Sequence, residues 1–489
     1  MIYKLMQIDV EIVKNEYRIV KPTTEKVIDF IEKIEKEITF FCNNLDIFYI
    51  YLIKDLLKNG YTQAEKGKKR FSFVYKNGVV PNVKIINAAG VKVYFVSFVK
   101  KFGIDWDDVT RAERKELVEY ARTHGRVALS LGADAYAEFV ATVLHPNKYK
   151  SAFTRAQIMR KDNHYPMFWY DKWLLDAKEN VSGFQYCKRG LYNNLFDIDK
   201  SASYPSQLLC NTPCGLPYIF QKIEDVPASY FKIITFTYFN CKPKKDAINF
   251  INTSAMGLLT LPQSMFNLFL ENYECDIKIR RIMAFKTQKS PFAKFIDQTL
   301  INGKTREERP HIAKYNKYIG NSLVGYFGRN TFTTNSAIII DNKKYVLNET
   351  PTEIDPIYLP IYIFVLDRAK TEFIRTIKKY RNYIVYANTD GFLSTKPLPL
   401  ELMNINNSNA AVGNYRIKHT YKEIYIECMN GYTGITTDGQ IDNTISGITL
   451  TEAITPEQYR NKQYTYYIHE QTPRGTIRRR TVKPLSRRG

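Results

Sequence analysis

Apolar residues return at helical spacing in TTEKVIDFIEKIEKE, which opens at Thr23 with a threonine at the cap position, and again from Ile47 to Leu57 ahead of an Asn59-Gly60 stop. Both stretches predict amphipathic helices in an α/β opening region. Residues 107–144 predict two helices joined near Gly125, and 155–180 a further helix-rich connection. From Gln185 onward the texture changes. LFDID at 195–199, YFKIITFTYF at 230–239 and YIVYANTDGFLS at 383–394 are short apolar or alternating runs set between turn residues, the pattern of strands. Between them, KTREERPHIAKYNKYIGNSLVGYFG spaces Lys314, Lys317 and Asn321 by three and four residues, so one side of a helix would carry all three. No repeat or long low-complexity linker is visible, and domain borders rest on these changes of pattern.

Composition narrows the class. A chain of 489 residues has room for about two to four domains. Its 71 Lys+Arg against 49 Asp+Glu give +22, which predicts a polyanionic partner. With 44% hydrophobic and 14% aromatic residues there is ample material for packed cores, which excludes a disordered basic tail protein. The seven cysteines are odd in number and scattered, so they predict ordinary thiols in a reducing compartment. Cys210 and Cys214 form a C-x3-C pair without a second pair to complete a zinc site. The opening MIYKLMQIDVEIVK breaks its apolar run with charges, unlike a signal peptide, and the longest apolar run, Ile357 to Leu366, is too short to span a bilayer. The basic charge therefore points to nucleic acid rather than lipid. The stretch Arg474 to Gly489, with seven basic residues and no acid, reads equally as a solvated tail or a duplex-gripping surface.

Three constellations could carry chemistry. In LFDIDKSASYPSQL, Asp197 and Asp199 share one face of a strand, and either could hold a hard cation; taken alone, the plainer reading is turn chemistry. YIVYANTDGFLS presents Asp390 at a hairpin tip. Beside Asp199 it would complete a clamp for two metal ions about 3.5–4 Å apart. Lys317-x3-Asn321-Ser322-x2-Gly325, preceded by Lys304, Arg306 and Arg309, offers a cationic helix to a triphosphate, although most such faces are simply solvated. Acid strand, basic helix and acid hairpin follow in that order.

In this order the three segments resemble motifs A, B and C of family B DNA polymerases, and their spacing is similar to that of the protein-primed branch of phages and linear plasmids. The resemblance extends to FKTQKSPFAKFIDQTLINGKT, DPIYLPIYIFVLDRAKTEF, NGYTGI and SGITLTE. It implies a mixed α/β (α+β) fold, a right hand of palm, fingers and thumb behind an N-terminal remnant of a 3′–5′ exonuclease domain of the RNase H-like type. It implies Asp199 and Asp390 as metal ligands for two Mg²⁺ ions, with Mn²⁺ able to substitute, and Tyr204 as the floor under the deoxyribose. Lys304 and Lys317 would hold the incoming triphosphate, with Asn321 beside it. Ser322, Gly325, Tyr432, Arg189 and Gly190 would meet primer and template.

The chain departs from the family pattern at Asn388 and Gly391, where motif C has aspartate and serine, at Val324 (tyrosine), Asn430 (the primer-gripping lysine) and Ser203 (leucine). An amide at 388 removes a charge but keeps an oxygen that can accept or coordinate. The exonuclease remnant resembles a decayed one. Asn43-Asn44-Leu45 is similar to its second carboxylate motif with Phe48 in the aspartate position, Tyr120-x3-His124 to its third with His124 for aspartate, and the chain begins after the first. Neither replacement suits Mg²⁺.

The expectation is thus a template-directed, strand-displacing DNA polymerase, primed by a terminal protein and lacking proofreading, that copies a viral or plasmid genome in the host cytoplasm. It would act on DNA and dNTPs, as a monomer or as a heterodimer with the terminal protein, without a membrane. The alternative is a polymerase-derived nucleic-acid-binding scaffold; a reverse transcriptase or RNA polymerase palm is weaker, since Ala387-Asn388-Thr389-Asp390 lacks an adjacent aspartate pair. Expected borders are 1–180 (exonuclease-like), 181–215 (palm, motif A), 216–295 (first terminal-protein-region insertion), 296–330 (fingers), 331–356 (second insertion), 357–446 (palm, motif C) and 447–489 (basic thumb).

Overall fold

The computed structural model describes residues 2–484 apart from 64–65, 77–78, 129, 143–167, 306, 329–336, 341, 347–357, 398, 400–411, 473 and 475. At its centre lies a seven-stranded antiparallel sheet in the order Ile441–Ile445, Gly431–Thr436, Tyr415–Cys428, Gly190–Lys200, Gly391–Ser394, Ile384–Asn388, Gln185–Cys187. Alternation along Gly190–Lys200 sends Leu195, Asp197 and Asp199 to one face and Ile198 to the other. On the second face Ile198 and Phe392 join the main core, where Phe392 meets Phe373 of the long helix Leu359–Tyr380 at 6.1 Å. On the first face Leu195, Leu393, Tyr421 and Ile424 form a smaller core.

The long helix also anchors its neighbour. Its buried Asp367 accepts hydrogen bonds from the Ser264 and Met265 backbone N–H groups at 3.4 and 2.8 Å, satisfying donors that the helix Gln263–Asn272 cannot pair itself. That helix sits in a four-stranded sheet of Thr212–Phe220, Tyr273–Gln288, Phe231–Pro243 and Gly257–Pro262, which occupies most of the expected first insertion. Of the expected second insertion, the hairpin Ala337–Ile340 with Lys343–Val346 is described and most of the rest lies outside the described residues.

The N-terminal sheet runs Ile2–Met6, Ile38–Cys42, Lys92–Ser97, Val79–Ile86, Arg70–Lys76 over a separate core that includes Phe48, Leu52 and Phe95. The first helix spans Thr24–Glu32, shorter than its apolar pattern, because Ile34 and Ile38 reach the same core from a turn and the next strand. The two expected helices around Gly125 are Arg111–Thr123 and Leu131–Thr142, and Gly125 itself takes φ 69°. Of the connection expected at 155–180, Phe168–Asn180 is helical and 155–167 lies outside the described residues.

The basic C-terminal stretch is no loose tail as far as residue 482. Ile477–Val482 pairs with Tyr466–Gln471, and Arg479 lies over the Tyr467 ring at 3.1 Å. The N-terminal hairpin Asp9–Val13 with Glu16–Lys21 extends that same sheet, Glu16 standing opposite Arg478, so strands from both chain ends cross the expected domain borders. Among the described residues no helix is long and apolar enough to cross a membrane.

Candidate active site

Two adjacent strands bring the acids together. Gly391 pairs with Asp199, and the Lys200 N–H donates to the Asp390 carbonyl at 3.1 Å. Thr389, at φ 62°, makes the tight corner that puts Asp390 there, and its N–H is held by the Phe184 carbonyl at 2.9 Å. Gly391 keeps the strands close, since a Cβ there would lie 3.3 Å from the Ile198 carbonyl and 3.6 Å from Asp199 Oδ1. Burial, and then the charge of Asp199, push the Asp390 carboxyl up to about 6, against Lys317 and Lys200. The reading that left Asp197 and Asp199 equivalent resolves in favour of Asp199, because Asp197 pairs two residues farther along, with Leu393. Asp197 is raised to about 6 by burial, with Lys418 pulling it down and Asp199 pushing it up.

The cationic wall comes from two consecutive helical stretches in the region expected to form the fingers. Lys304 lies in the last turn of a nine-residue π-helical stretch, Asp297–Thr305, and Lys317 lies in the helix Pro310–Phe327. Burial, then the like charges of Arg416 and Lys317, lower the Lys304 ammonium while Asp199 opposes them, so these side chains share one field. Arg416, opposite Asp199 in the sheet at 3.7 Å, was not singled out from the sequence; nothing in its local pattern marks it, and only strand register reveals it. Tyr204 stands in a short helix, Ser203–Gln207, and burial followed by the nearby Asp390 raises its hydroxyl well above the usual range.

Lys317, Asn321 and Gly325 recur every four residues along the open side of the fingers helix; Asn321 and Gly325 are exposed, and nothing lies within 4 Å of a Cβ placed at Gly325. Ser322 turns back, its hydroxyl donating to the Tyr318 carbonyl at 2.6 Å. One expected phosphate cation, Arg309, is committed elsewhere, as is Lys314 on the same helix. Lys314 pairs with Asp108 at 3.1 Å, and Arg309 with Glu116 and Glu307, each at 2.7 Å, so both tie the helix to its surroundings rather than face a triphosphate. Arg306 lies outside the described residues.

Tyr432 packs edge-on against Tyr386 at 5.4 Å, on the strand beyond Asn430. Arg189 is held by the Tyr425 hydroxyl at 3.2 Å and by Glu427 at 3.1 Å, and Gly190 opens the central strand opposite Ile426. The Asn388 amide oxygen is occupied: it accepts from Gln185 Nε2 at 3.2 Å and Thr389 Oγ1 at 3.0 Å, which leaves no lone pair for a metal. In the N-terminal domain, Asn44 Nδ2 donates to the Ile8 carbonyl at 3.0 Å and Phe48 is fully buried. Tyr120 stacks on His124 at 3.9 Å, and the strand Ile2–Met6 carries no acid. Among the described residues, no group of three His, Cys, Asp or Glu could hold a metal, which leaves the Asp199–Asp390 pair as the hard-cation candidate, completed by water and phosphate.

Residues 186–395, which carry both acids and the cationic helix, match the family model described as DNA polymerase type B, organellar and viral. The match covers less than half of the chain, and over that stretch the chain is similar to type B DNA polymerases. One curated relative, the DNA polymerase of Streptococcus phage Cp-1, is 25% identical over 223 residues, covering 40% of this chain and 39% of its own length. The chain shares the fold of Phi29 DNA polymerase. A ternary complex of that protein with primer-template DNA and incoming nucleotide substrates superposes with a TM-score of 0.77 at 17% identity, over 96% of this chain and 94% of that one. An orthorhombic crystal form gives 0.78 at 16% identity over 98% and 99%. The chain therefore has the mixed α/β, right-hand fold of that protein, with an N-terminal exonuclease-like region.

Proposed function

We propose that the chain is a template-directed DNA polymerase that extends a primer by nucleotidyl transfer, is primed by a terminal protein, displaces the non-template strand, lacks 3′–5′ proofreading and copies a viral or plasmid genome. The reading rests on one observation, that Asp199, on its strand, and Asp390, in the turn beside it, stand together beneath Lys304 and Lys317.

The two carboxylates repel each other and are partly desolvated, an environment that favours divalent cations such as Mg²⁺ or Mn²⁺. Cations held there would neutralise phosphate charge and acidify the attacking hydroxyl. Around them, Lys304 and Lys317 would bind the triphosphate, the Tyr204 ring would take the space that a ribose 2′-OH needs, and Tyr432 would support the primer end. A 3′-OH, or a Ser, Thr or Tyr hydroxyl of a terminal protein, attacks the α-phosphate in line and pyrophosphate leaves, with positioning doing most of the catalysis. The loss of proofreading is supported by Phe48 and His124, which stand where the resemblance would put two of the exonuclease acids, and by the lack of a three-residue His, Cys, Asp or Glu metal group among the described residues.

The test is incubation with labelled dATP and Mg²⁺ or Mn²⁺, with primer-template DNA or candidate terminal protein. Primer extension that disappears in Asp390→Asn supports the reading, and label on protein assigns protein priming. Salt-sensitive DNA binding without extension on any primer would replace it with a scaffold role.

A further inference from the structure

We infer that Asn388 is a positioning residue that couples the turn bearing Asp390 to the strand bearing Tyr432 through a side-chain amide pair with Asn430. The inference deepens the polymerase reading and rests on it.

Asn388 Nδ2 donates to Asn430 Oδ1 at 2.8 Å. Asn430 occupies a left-handed corner, φ 54°, between the strands Tyr415–Cys428 and Gly431–Thr436, two residues before Tyr432. Its backbone N–H donates to the Tyr386 hydroxyl at 3.2 Å, and the Tyr386 ring in turn packs against Tyr432. On the other side, Gln185 Nε2 and Thr389 Oγ1 both donate to Asn388 Oδ1. The result is a chain of contacts running Gln185, Asn388, Asn430, Tyr386, Tyr432. It joins two turns from distant parts of the sequence, and Asp390 lies two residues beyond its first Asn. These groups are only partly exposed, so each broken link leaves a poorly solvated donor or acceptor. The link is also uncharged. Asp199, Asp390 and Asp197 already crowd this end of the sheet, and a further carboxylate at 388 would face the Asn430 oxygen without a counter-charge. Asn388 and Asn430 are two of the five departures noted in the sequence, and they are hydrogen-bonded to each other.

The role predicts a specific pattern. Asn388→Asp alone sets carboxylate against carbonyl and should cut the extension rate at saturating dNTP about tenfold; Asn430→Lys alone should do the same by placing an unpaired ammonium at the corner. Combined, the two substitutions make an ion pair in place of the amide pair, and kcat should return to within about threefold of the unaltered chain. The KM for dNTP should stay unchanged throughout, because the link sets the primer end against the metal turn and does not touch the triphosphate side. A double variant whose loss is the product of the two single losses would overturn the coupling. If the swapped chain does not fold, Tyr386→Phe carries the test by deleting one hydroxyl. A kcat about two- to fivefold lower at constant dNTP KM supports the link, and an unchanged kcat overturns it. Failure of the unaltered chain to extend any primer would instead sink the polymerase reading itself.

Discussion

At the scale of single residues, local identity and tertiary neighbours contribute differently. Asp199 and Asp390 were legible because each ends an apolar strand, and the sheet confirms that both reach one place. Asn388 was legible only as an anomaly; its two filled lone pairs come from Gln185, 203 residues away, and from its neighbour Thr389. Tyr204 should act as the sugar selector. Replacing it with Val is expected to raise the rNTP to dNTP incorporation ratio by about tenfold or more, roughly the effect of about 1.4 kcal/mol in transition-state discrimination, as measured by competitive single-nucleotide extension. Asp367 supplies a pH signature. Burial raises its carboxyl from 3.8 to about 6, so between roughly pH 4 and 6 the folded chain keeps a proton that the unfolded chain has lost. The stability linked to this group is present at the acid end and is lost as pH rises through that window, up to about 3 kcal/mol. The melting temperature of Asp367→Asn relative to the unaltered chain should therefore climb from pH 4 to about 6.5 and then level off. A flat difference would contradict the shift.

At the scale of elements, the fingers helix Pro310–Phe327 is braced by the N-terminal domain. Buried Arg126 bonds Glu138 bidentately at 2.7 and 3.1 Å and donates to Asn316 Oδ1 at 2.7 Å, while Asn316 Nδ2 donates to the Gly303 carbonyl at 2.6 Å, next to Lys304. Truncating Arg126 to Ala leaves the buried Asn316 oxygen and partly buried Glu138 without their partner, and is expected to cost about 3 kcal/mol, measurable by urea denaturation. The same variant should raise the KM for dNTP, because the brace ends beside Lys304. The helix itself was legible from spacing, but the diversion of Arg309 and Lys314 into this brace was not. A charge pattern along one helix carries no record of the Glu116 and Asp108 carboxylates packed against it.

Across the whole molecule, the excess of +22 and the joined ends of the chain set the expectations. DNA binding should weaken steeply with salt, by about 10³-fold or more between 50 and 200 mM if six or more phosphates are contacted, as read by fluorescence anisotropy. A labelled single strand or a mismatched primer end should survive incubation with Mg²⁺ or Mn²⁺, since the N-terminal fold holds Phe48 in its core and stacks Tyr120 on His124 instead of presenting carboxylates. Progressive shortening of that strand would overturn the proposal that proofreading is lost. The N-terminal domain then persists as a support for the fingers and, through its first hairpin, as an edge of the C-terminal sheet.

By itself the amino-acid order determined the alternation that makes the central strands, the spacing of the fingers helix, and the two acids that end their strands, because these depend on contacts between near neighbours and on the period of the backbone. Tertiary structure decided which acid faces Asp390, where Arg416 and Arg126 apply their charge, and that Asn388 meets Asn430. Those outcomes depend on strand register and on packing between segments tens to hundreds of residues apart, and no local pattern encodes either.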